Sequence, residues 1–204
     1  MVALNSSAES SGPDLQFHPL TAERWRDFTA LFGRRGACGG CWCMWWRLSQ
    51  REFEARKGEK NRRAMHRLVK KGSEPGILAY VGRGAKREAI GWCAVAPRSE
   101  YPRLDRSRIL KPVDDEPVWS VVCLFVAREW RRRGVSTRLL EAACEHVRAR
   151  GGRIVEGYAV EPKKKGGMPD VFAFHGPAAA YAAAGFTEAA RRSPTRPIMR
   201  RLLD

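Results

Sequence analysis

The stretch Val118-Trp-Ser-Val-Val-Cys-Leu-Phe-Val126 is followed by Ala-Arg-Glu-Trp and then by Arg131-Arg-Arg-Gly134-Val-Ser-Thr137-Arg-Leu-Leu140. Its first part is rich in β-branched and aromatic residues, which predicts a buried strand. From Val135 to Val147 apolar residues recur at helical spacing, which predicts a helix. The first amides of a helix have no internal partner, so a strand, a basic turn and a helix N-terminus together predict an anion site. We expect its ligand to carry phosphates.

The basic turn lacks the patterns of two common nucleotide sites. A P-loop needs Lys and then Ser or Thr after its second glycine, and a dinucleotide fingerprint needs three spaced glycines. The turn instead resembles the coenzyme A loop of the GNAT acyltransferase superfamily, Arg/Gln-x-x-Gly-x-Gly/Ala. Arg131, Gly134 and Ser136 fill its three positions, and the serine departs from the pattern. A solvated surface turn is the alternative that these residues alone leave open.

A second short motif resembles the same superfamily. The segment Ala180-Tyr181-Ala-Ala-Ala-Gly185-Phe186 is similar to its Tyr-x-x-x-Gly-Phe near the end of the last helix. The order of predicted elements, β-α-α-β-β-β-α-β-α-β-β, also resembles the superfamily from about residue 15 to the C-terminus. The resemblance implies an α/β (α+β) GNAT acyltransferase fold, a mixed central β-sheet flanked by helices, as a single domain over residues 14–204. Residues 1–13 lack a basic start and an apolar centre, and we expect a disordered leader there.

The individual elements follow from periodicity and from turn residues. Thr21 is predicted to cap a first helix and Ser49 a second, charged helix that Gly58 interrupts. A short alanine-rich helix is predicted between Pro177 and Gly185. The strands are predicted at 15–20, 76–81, 88–96, 118–126, 153–160, 186–190 and 197–203, with a long loop at 97–117 and a mobile basic loop at 163–167.

The resemblance implies transfer of an acetyl group from acetyl-CoA to an amine, by direct attack in a ternary complex. In the superfamily the central strand pairs with the pantetheine arm, which here implies backbone groups of Leu124, Phe125 and Val126. The helix dipole favours the pyrophosphate at the turn. The amides that would hold it belong to Arg131, Arg132, Arg133, Gly134, Val135, Ser136 and Thr137.

Two residues are the candidate catalytic groups. The resemblance implies that Tyr181 protonates the leaving thiolate, although a tyrosine that only packs in the core is the alternative. Glu156 lies in an apolar strand, where burial of a carboxyl group is costly unless the group is paired or has a function. It is either the general base or a paired structural carboxylate. Glu129 is expected to be a surface charge and His175 is a weaker candidate for the base. A covalent mechanism through Cys123 lacks any base tied to it in sequence.

The cysteines raise the question of a metal. With no export signal, all six are expected to be reduced thiols, and Cys93, Cys123 and Cys144 to act as small hydrophobes. The stretch Cys38-Gly-Gly-Cys41-Trp-Cys43, followed by Met44-Trp-Trp-Arg47, also resembles a subgroup of bacterial GNAT-like proteins. A structural zinc site needs four ligands, so we predict no metal. We expect this loop to pack over the core or to line an acceptor pocket.

Composition leaves the partners open. The net charge is +16, and 44% of the residues are hydrophobic. This charge permits nucleic acid as a partner, although no nucleic-acid motif is visible, and it equally permits an anionic coenzyme. No apolar run reaches the ~20 residues of a membrane span and no signal-peptide pattern is visible, so a cytoplasmic protein is expected. A monomer or a homodimer is expected. An RNA modifier with the same fold and a non-catalytic coenzyme A-binding module are the alternatives to an N-acetyltransferase.

Overall fold

The computed structural model describes residues 14–161 and 174–204, and their strands form one sheet. The order across the sheet is β1-β2-β3-β4-β5-β7-β6. In the described residues β4 and β5 are parallel and the other neighbours are antiparallel. The strands are β1 (Leu15–Pro19), β2 (Gly76–Val81), β3 (Glu88–Pro97), β4 (Trp119–Val126), β5 (Ile154–Gly157), β6 (Thr187–Arg191) and β7 (Pro197–Leu202). The predicted mixed sheet is confirmed.

Helices flank this sheet, and their ends follow local sequence signals. They are α1 (Trp25–Phe32), α2 (Gln50–Arg56), α3 (Glu59–Lys70), α4 (Pro102–Asp105), α5 (Val135–Arg148) and α6 (Ala178–Ala183). Ser49 begins α2 with a capping box completed by Glu52. Gly58 separates α2 from α3 at a φ of +76°, as predicted. Thr21 takes the predicted N-cap position, ahead of a 3-10 turn at Ala22–Arg24 that leads into α1, but its side chain makes no capping bond: its hydroxyl accepts instead from Arg24 Nη1 at 3.1 Å.

Alternation along the central strands builds two hydrophobic cores, one on each face of the sheet. Ile77, Ala79 and Cys93 pack in the core that contains the buried face of α5. Leu78, Tyr80 and Trp92 point the other way, into the core that contains Phe28 and Phe32 of α1 and Trp42 of the cysteine segment. The cysteine segment therefore covers one face of the sheet beside α1, as the sequence predicts.

The strand predicted at 153–160 is shorter in the structure. The pairing of β4 with β5 covers Trp119–Val121, and the two strands then separate. Val160 forms only an isolated bridge to Pro177, because its amide donates to Gly176 O at 3.0 Å. A later piece of the chain, Gly176 and Pro177, therefore takes the place that β4 would have held as the partner of Val160.

The loop predicted at 97–117 is partly ordered into a 3-10 turn at Arg98–Glu100 and the short α4. The predicted leader at 1–13 and the basic loop at 163–167 lie outside the described residues. Across residues 14–161 and 174–204 there is no helix with the length and apolar character to span a membrane.

Candidate active site

The turn between β4 and α5 presents a helix N-terminus to solvent. Gly134 is the N-cap of α5 at a φ of +74°, in the left-handed region that favours glycine. A Cβ added there would meet open space, so the backbone at this point is open to a ligand. Arg131 Nε donates to Val126 O at 3.1 Å, which ties the turn to the end of β4. The strand, the turn and the helix N-terminus are thus arranged as an anion site.

A groove of about 960 Å³ runs from this turn along the end of β4. Arg35, Lys57, Arg131 and Arg132 line it, and no Asp or Glu of the described residues does. Of the predicted coenzyme residues, the groove is lined by Leu124, Phe125, Val126, Arg131, Arg132 and Ser136. This clustering of cations suits a ligand that carries several phosphate groups.

The remaining predicted turn residues lie beside the groove. Gly134, Val135 and Thr137 line a smaller adjoining pocket of about 250 Å³, together with Ser136. The guanidinium of Arg133 lies over the ring of Trp130, 5.1 Å from its centre. Arg133 is therefore the one residue of the predicted turn that lines neither space.

The amide of Leu124, predicted to bind pantetheine, already has a partner. It donates to Phe174 O at 2.6 Å. Phe174 belongs to the piece of chain that continues through Gly176 and Pro177 into α6 and lies between the separating ends of β4 and β5. We call residues 174–177 the return segment. It closes one side of the groove at the place where the strands part.

A second space, about 360 Å³ in volume, adjoins the groove, and we call it the thiol cavity. The two spaces share Leu124, Phe125 and Phe174 in their walls. Lys57 is the only basic residue in the described lining of the cavity, and its Nζ lies 2.6 Å from Glu54. The aromatic walls of the cavity are Trp45, Trp46, Phe53, Phe125 and Phe174. Such a space suits an apolar ligand that enters from the groove.

Four cysteines line the thiol cavity: Cys38, Cys41, Cys43 and Cys123. The thiols of Cys43 and Cys123 are 3.6 Å apart, and Trp92 Nε1 donates to Cys43 Sγ at 2.8 Å. Cys123 was expected to be a scattered hydrophobe, but β4 places it against the cysteine segment. Sequence distance concealed this contact, because 80 residues separate Cys43 from Cys123.

The thiol of Cys41 differs electrostatically from its neighbours. A hydrogen bond from the Cys43 thiol and backbone amides of the same loop lower the pKa of Cys41 to about 6, against the opposing effect of burial. Burial raises the pKa of Cys43 well above its ordinary value, so this thiol keeps its proton. Burial also raises the pKa of Cys38. The Cys41 thiol also lies within hydrogen-bond distance of Gly36 O, to which it donates at 3.4 Å.

Tyr181 lies behind the groove rather than in its wall. Its hydroxyl donates to His175 O at 2.9 Å, and its side chain is fully buried. A Cβ on Gly157 would lie 2.1 Å from a ring carbon of Tyr181, so the glycine is needed for this packing. Burial raises the pKa of Tyr181 well above its ordinary value. The hydroxyl is thus protonated, and one peptide group of the return segment holds it.

Glu156 is fully buried and paired, and it lines neither the groove nor the thiol cavity. Its Oε1 accepts from Arg98 Nη1 at 3.2 Å and from the Tyr158 hydroxyl at 2.9 Å. Its Oε2 accepts from Arg200 Nε at 2.8 Å. This geometry favours the paired structural carboxylate, since two guanidinium groups and the Tyr158 hydroxyl already donate to its two oxygens. Glu156 ties the loop at 97–117 to β5 and β7.

The other candidates from the sequence lie apart from one another. Glu129 is exposed in the turn, as expected. His175 is buried, which lowers its pKa well below the ordinary value and keeps the ring neutral. Cys123 contacts another thiol rather than a histidine.

In the part of the chain that the structure describes, no group of three or more His, Cys, Asp or Glu side chains is arranged to hold a metal ion.

Several residues of the site escaped the sequence analysis. Arg35 and Lys57 reach the groove from the segments around the cysteine loop, which are far in sequence from the turn. Arg98 and Arg200 hold Glu156 across the sheet. One signal was available: Cys123 immediately precedes Leu124 on the strand expected to bind the coenzyme, so it could have been placed beside the site.

Comparison with known proteins identifies the family. The Acetyltransferase (GNAT) family profile matches residues 42–164, which is more than half of the chain. No curated protein matches the sequence.

Solved structures share the fold at low sequence identity. A GNAT-family acetyltransferase from Listeria monocytogenes is 9% identical with a TM-score of 0.54, over 93% of this chain and 95% of that one. The NatC complex bound to Gag peptide and CoA is 12% identical with a TM-score of 0.52, over 93% and 99%. The PaiA N-acetyltransferase of Thermoplasma acidophilum in complex with coenzyme A is 14% identical with a TM-score of 0.50, over 93% and 99%. Together with the sequence profile, the fold and the groove, these findings show that the chain belongs to the GNAT acetyltransferase family.

Proposed function

We propose that this protein is an N-acetyltransferase that transfers the acetyl group of acetyl-CoA to an amine of a small molecule or a protein. The observation that supports it most is the continuity of the groove with the thiol cavity. The groove begins at a helix N-terminus lined by arginines and follows β4 to Leu124, where the cavity opens. A long ligand with phosphates at one end and a reactive group at the other fits this path.

The proposed orientation of acetyl-CoA follows from charge. The pyrophosphate takes the amides at the start of α5, where Gly134 leaves open space and Arg131 and Arg132 supply positive charge. The pantetheine arm then runs along Leu124, Phe125 and Val126. Its thioester reaches the mouth of the thiol cavity, and the acceptor binds in that cavity.

The apolar walls of the thiol cavity restrict which class of acceptor molecule can bind there. Among its described lining residues there is no carboxylate or imidazole to pair with an ammonium group. We therefore propose an acceptor with an apolar body whose amine reacts in its neutral form.

The acid role of Tyr181 is a proposal that depends on the return segment. In the structure the hydroxyl bonds to His175 O and lines neither space. Displacement of His175 O would free the hydroxyl from this hydrogen bond. A freed phenol beside the coenzyme sulfur could then give its proton to the leaving thiolate.

Thiol release from acetyl-CoA, measured against a panel of amines, tests the proposed function. We expect release with an apolar amine, and calorimetry should show coenzyme A binding in the absence of the acceptor. Binding without release across the whole panel would favour a non-catalytic coenzyme A-binding module instead. Absence of coenzyme A binding would exclude both.

A second candidate, an RNA modifier of the same fold, has one observation in its favour. Arg56, Lys60, Arg63 and Arg67 line a single shallow surface pocket formed by α2 and α3. Such a stripe suits a phosphate backbone. Salt-dependent retention on RNA, lost when Lys60 and Arg63 are replaced by Gln, would support it.

The cytoplasmic location and the monomer or homodimer state stay predictions, as does the bacterial subgroup.

A further inference from the structure

The walls of the thiol cavity contain aromatic rings from four separate parts of the chain. They are Trp45 and Trp46 of the cysteine segment, Phe53 of α2, Phe125 of β4 and Phe174 of the return segment. Aromatic rings that meet edge to face or in an offset stack gain energy beyond the area they bury. The four cysteines add soft, polarisable sulfur to the same wall. This lining favours an aromatic ligand over an aliphatic ligand of equal size.

Trp45 and Trp46 are held in place by the residues around them. The guanidinium of Arg103 lies 3.5 Å from the centre of the Trp45 ring, and its Nη1 donates to Trp45 O at 3.3 Å. Phe53 meets the Trp45 ring edge to face, with 4.8 Å between the ring centres. The Trp46 ring packs edge to face against His175 at 5.3 Å. The two indoles are therefore a preformed surface, so a bound ring need not order them.

Trp46 also carries a hydrogen-bond donor that has no acceptor. The residue is only 9% exposed, and in the part of the chain that the structure describes its indole N–H has no hydrogen-bond partner. A buried donor without a partner is unfavourable. The π face of an aromatic ring accepts such an N–H weakly, whereas an aliphatic ring does not. An aromatic ligand beside Trp46 therefore offers an acceptor that an aliphatic ligand lacks.

The polar contacts around the cavity indicate which kind of amine the ring carries. The described lining contains no carboxylate or imidazole. Lys57 is paired with Glu54, and the Cys41 thiol donates to Gly36 O, so neither is placed to accept a proton from an ammonium group. A primary alkylamine has a pKa near ~10, like that of lysine, so about one molecule in 10³ is neutral at pH 7. An amine joined directly to an aromatic ring is neutral at this pH, because its lone pair is delocalised into the ring.

We propose that the acceptor is a primary arylamine, whose nitrogen is joined directly to an aromatic ring that binds in the thiol cavity; this inference rests on the proposed function. The neutral nitrogen attacks the thioester carbon where groove and cavity meet at Leu124 and Phe125. A C–N bond forms and the bond to the coenzyme sulfur breaks. The nitrogen loses one proton to solvent and the coenzyme thiolate takes one up. The products are an N-aryl acetamide and coenzyme A.

Three amines separate the effect of the ring from the effect of charge. Aniline is aromatic and neutral, benzylamine is aromatic and protonated, and cyclohexylamine has a six-membered aliphatic ring and is protonated. Thiol release from acetyl-CoA is measured with the full chain at neutral pH, and the acetylated products are identified by mass spectrometry. We expect kcat/KM to be greatest for aniline and lowest for cyclohexylamine, at least ~10-fold apart. Any order in which aniline is not first would overturn the proposal.

Trp45→Leu tests whether the ring binds in the thiol cavity, and Phe17→Leu is its matched control. Phe17 lies on β1, packs against the core and lines neither the groove nor the cavity. One aromatic pair is worth about 2- to 10-fold in binding. In Trp45→Leu the ratio of kcat/KM for aniline to that for cyclohexylamine should fall by this factor, whereas Phe17→Leu should leave it unchanged.

An unchanged ratio in folded Trp45→Leu would contradict a ring-selective cavity and overturn the proposal. If Trp45→Leu does not fold, the order of the three amines with the unaltered chain decides the proposal.

The outcomes also separate this inference from the proposed function. If coenzyme A binds and an alkylamine is acetylated in preference to aniline, the proposed function stands and only this inference fails. If coenzyme A binds but no amine reacts, the chain is a binding module and both fail. Absence of coenzyme A binding would likewise exclude both.

Discussion

Replacing Glu156 by Gln separates the two roles considered for this residue. The side chains of Arg98 and Arg200 are each 12% exposed and both bond to the fully buried Glu156. Gln has the same shape, but it loses the charge and turns an amide donor toward one guanidinium. Loss of one member of a buried ion pair costs about 3–5 kcal/mol. Because Arg98 keeps Asp105 and Arg200 keeps Asp114, we expect the lower end of this range.

A loss of about 3 kcal/mol leaves the protein folded, since domains of this kind have about 5–15 kcal/mol of stability. At about 2–4 °C per kcal/mol for a domain of this size, the midpoint of thermal unfolding should fall by about 6–12 °C. Differential scanning calorimetry measures this shift. Asp114→Asn is the matched control, because it removes the exposed partner of Arg200 and should shift the midpoint far less.

Turnover of the folded Glu156→Gln protein, measured well below its unfolding midpoint, decides the catalytic question. A structural carboxylate predicts turnover per folded molecule close to that of the unaltered chain. A general base predicts a fall of ~10²- to 10⁴-fold at saturating substrates. An unchanged unfolding midpoint together with such a fall would refute our reasoning from the two arginine contacts.

Three further predictions concern the groove and the thiol cavity. Gly134→Leu should weaken coenzyme A binding, because the side chain would enter the open space at the start of α5; unchanged affinity by calorimetry in the folded variant would remove this turn from the site. Tyr181→Phe should not weaken acetyl-CoA binding and should lower turnover by ~10²-fold or more if the hydroxyl protonates the thiolate, whereas a lower melting temperature with intact turnover would mark it as structural. Elemental analysis of protein purified without chelator should find no stoichiometric metal, and one zinc per chain that disappears in Cys123→Ser would contradict this.

The parts of the fold that were predictable are those fixed by neighbours in sequence. The capping box of Ser49 and Glu52 acts within one helical turn, and Gly58 interrupts the following helix by its own backbone preference. The strand, turn and helix around Gly134 likewise follow from local periodicity and a single glycine. These features need no knowledge of the rest of the chain.

The parts that were missed depend on contacts between distant segments. The length of β5 could not be read from its apolar residues, because the return segment replaces β4 as the partner of Val160. The partners of Glu156 come from β7 and from the loop before β4, and Cys123 meets Cys43 only across the fold. Burial of an acid indicates that partners exist, but it does not identify them.

Binding of pantetheine to β4 must replace a hydrogen bond that the return segment already makes to Leu124. Phe174 O already accepts from Leu124 N, and the next carbonyl, His175 O, holds the Tyr181 hydroxyl. A coenzyme that pairs with Leu124 must displace an internal competitor, so its net gain there is the difference between two similar hydrogen bonds. The same displacement would release the Tyr181 hydroxyl. Two adjacent peptide groups would thus couple occupancy of the groove to exposure of a buried proton donor.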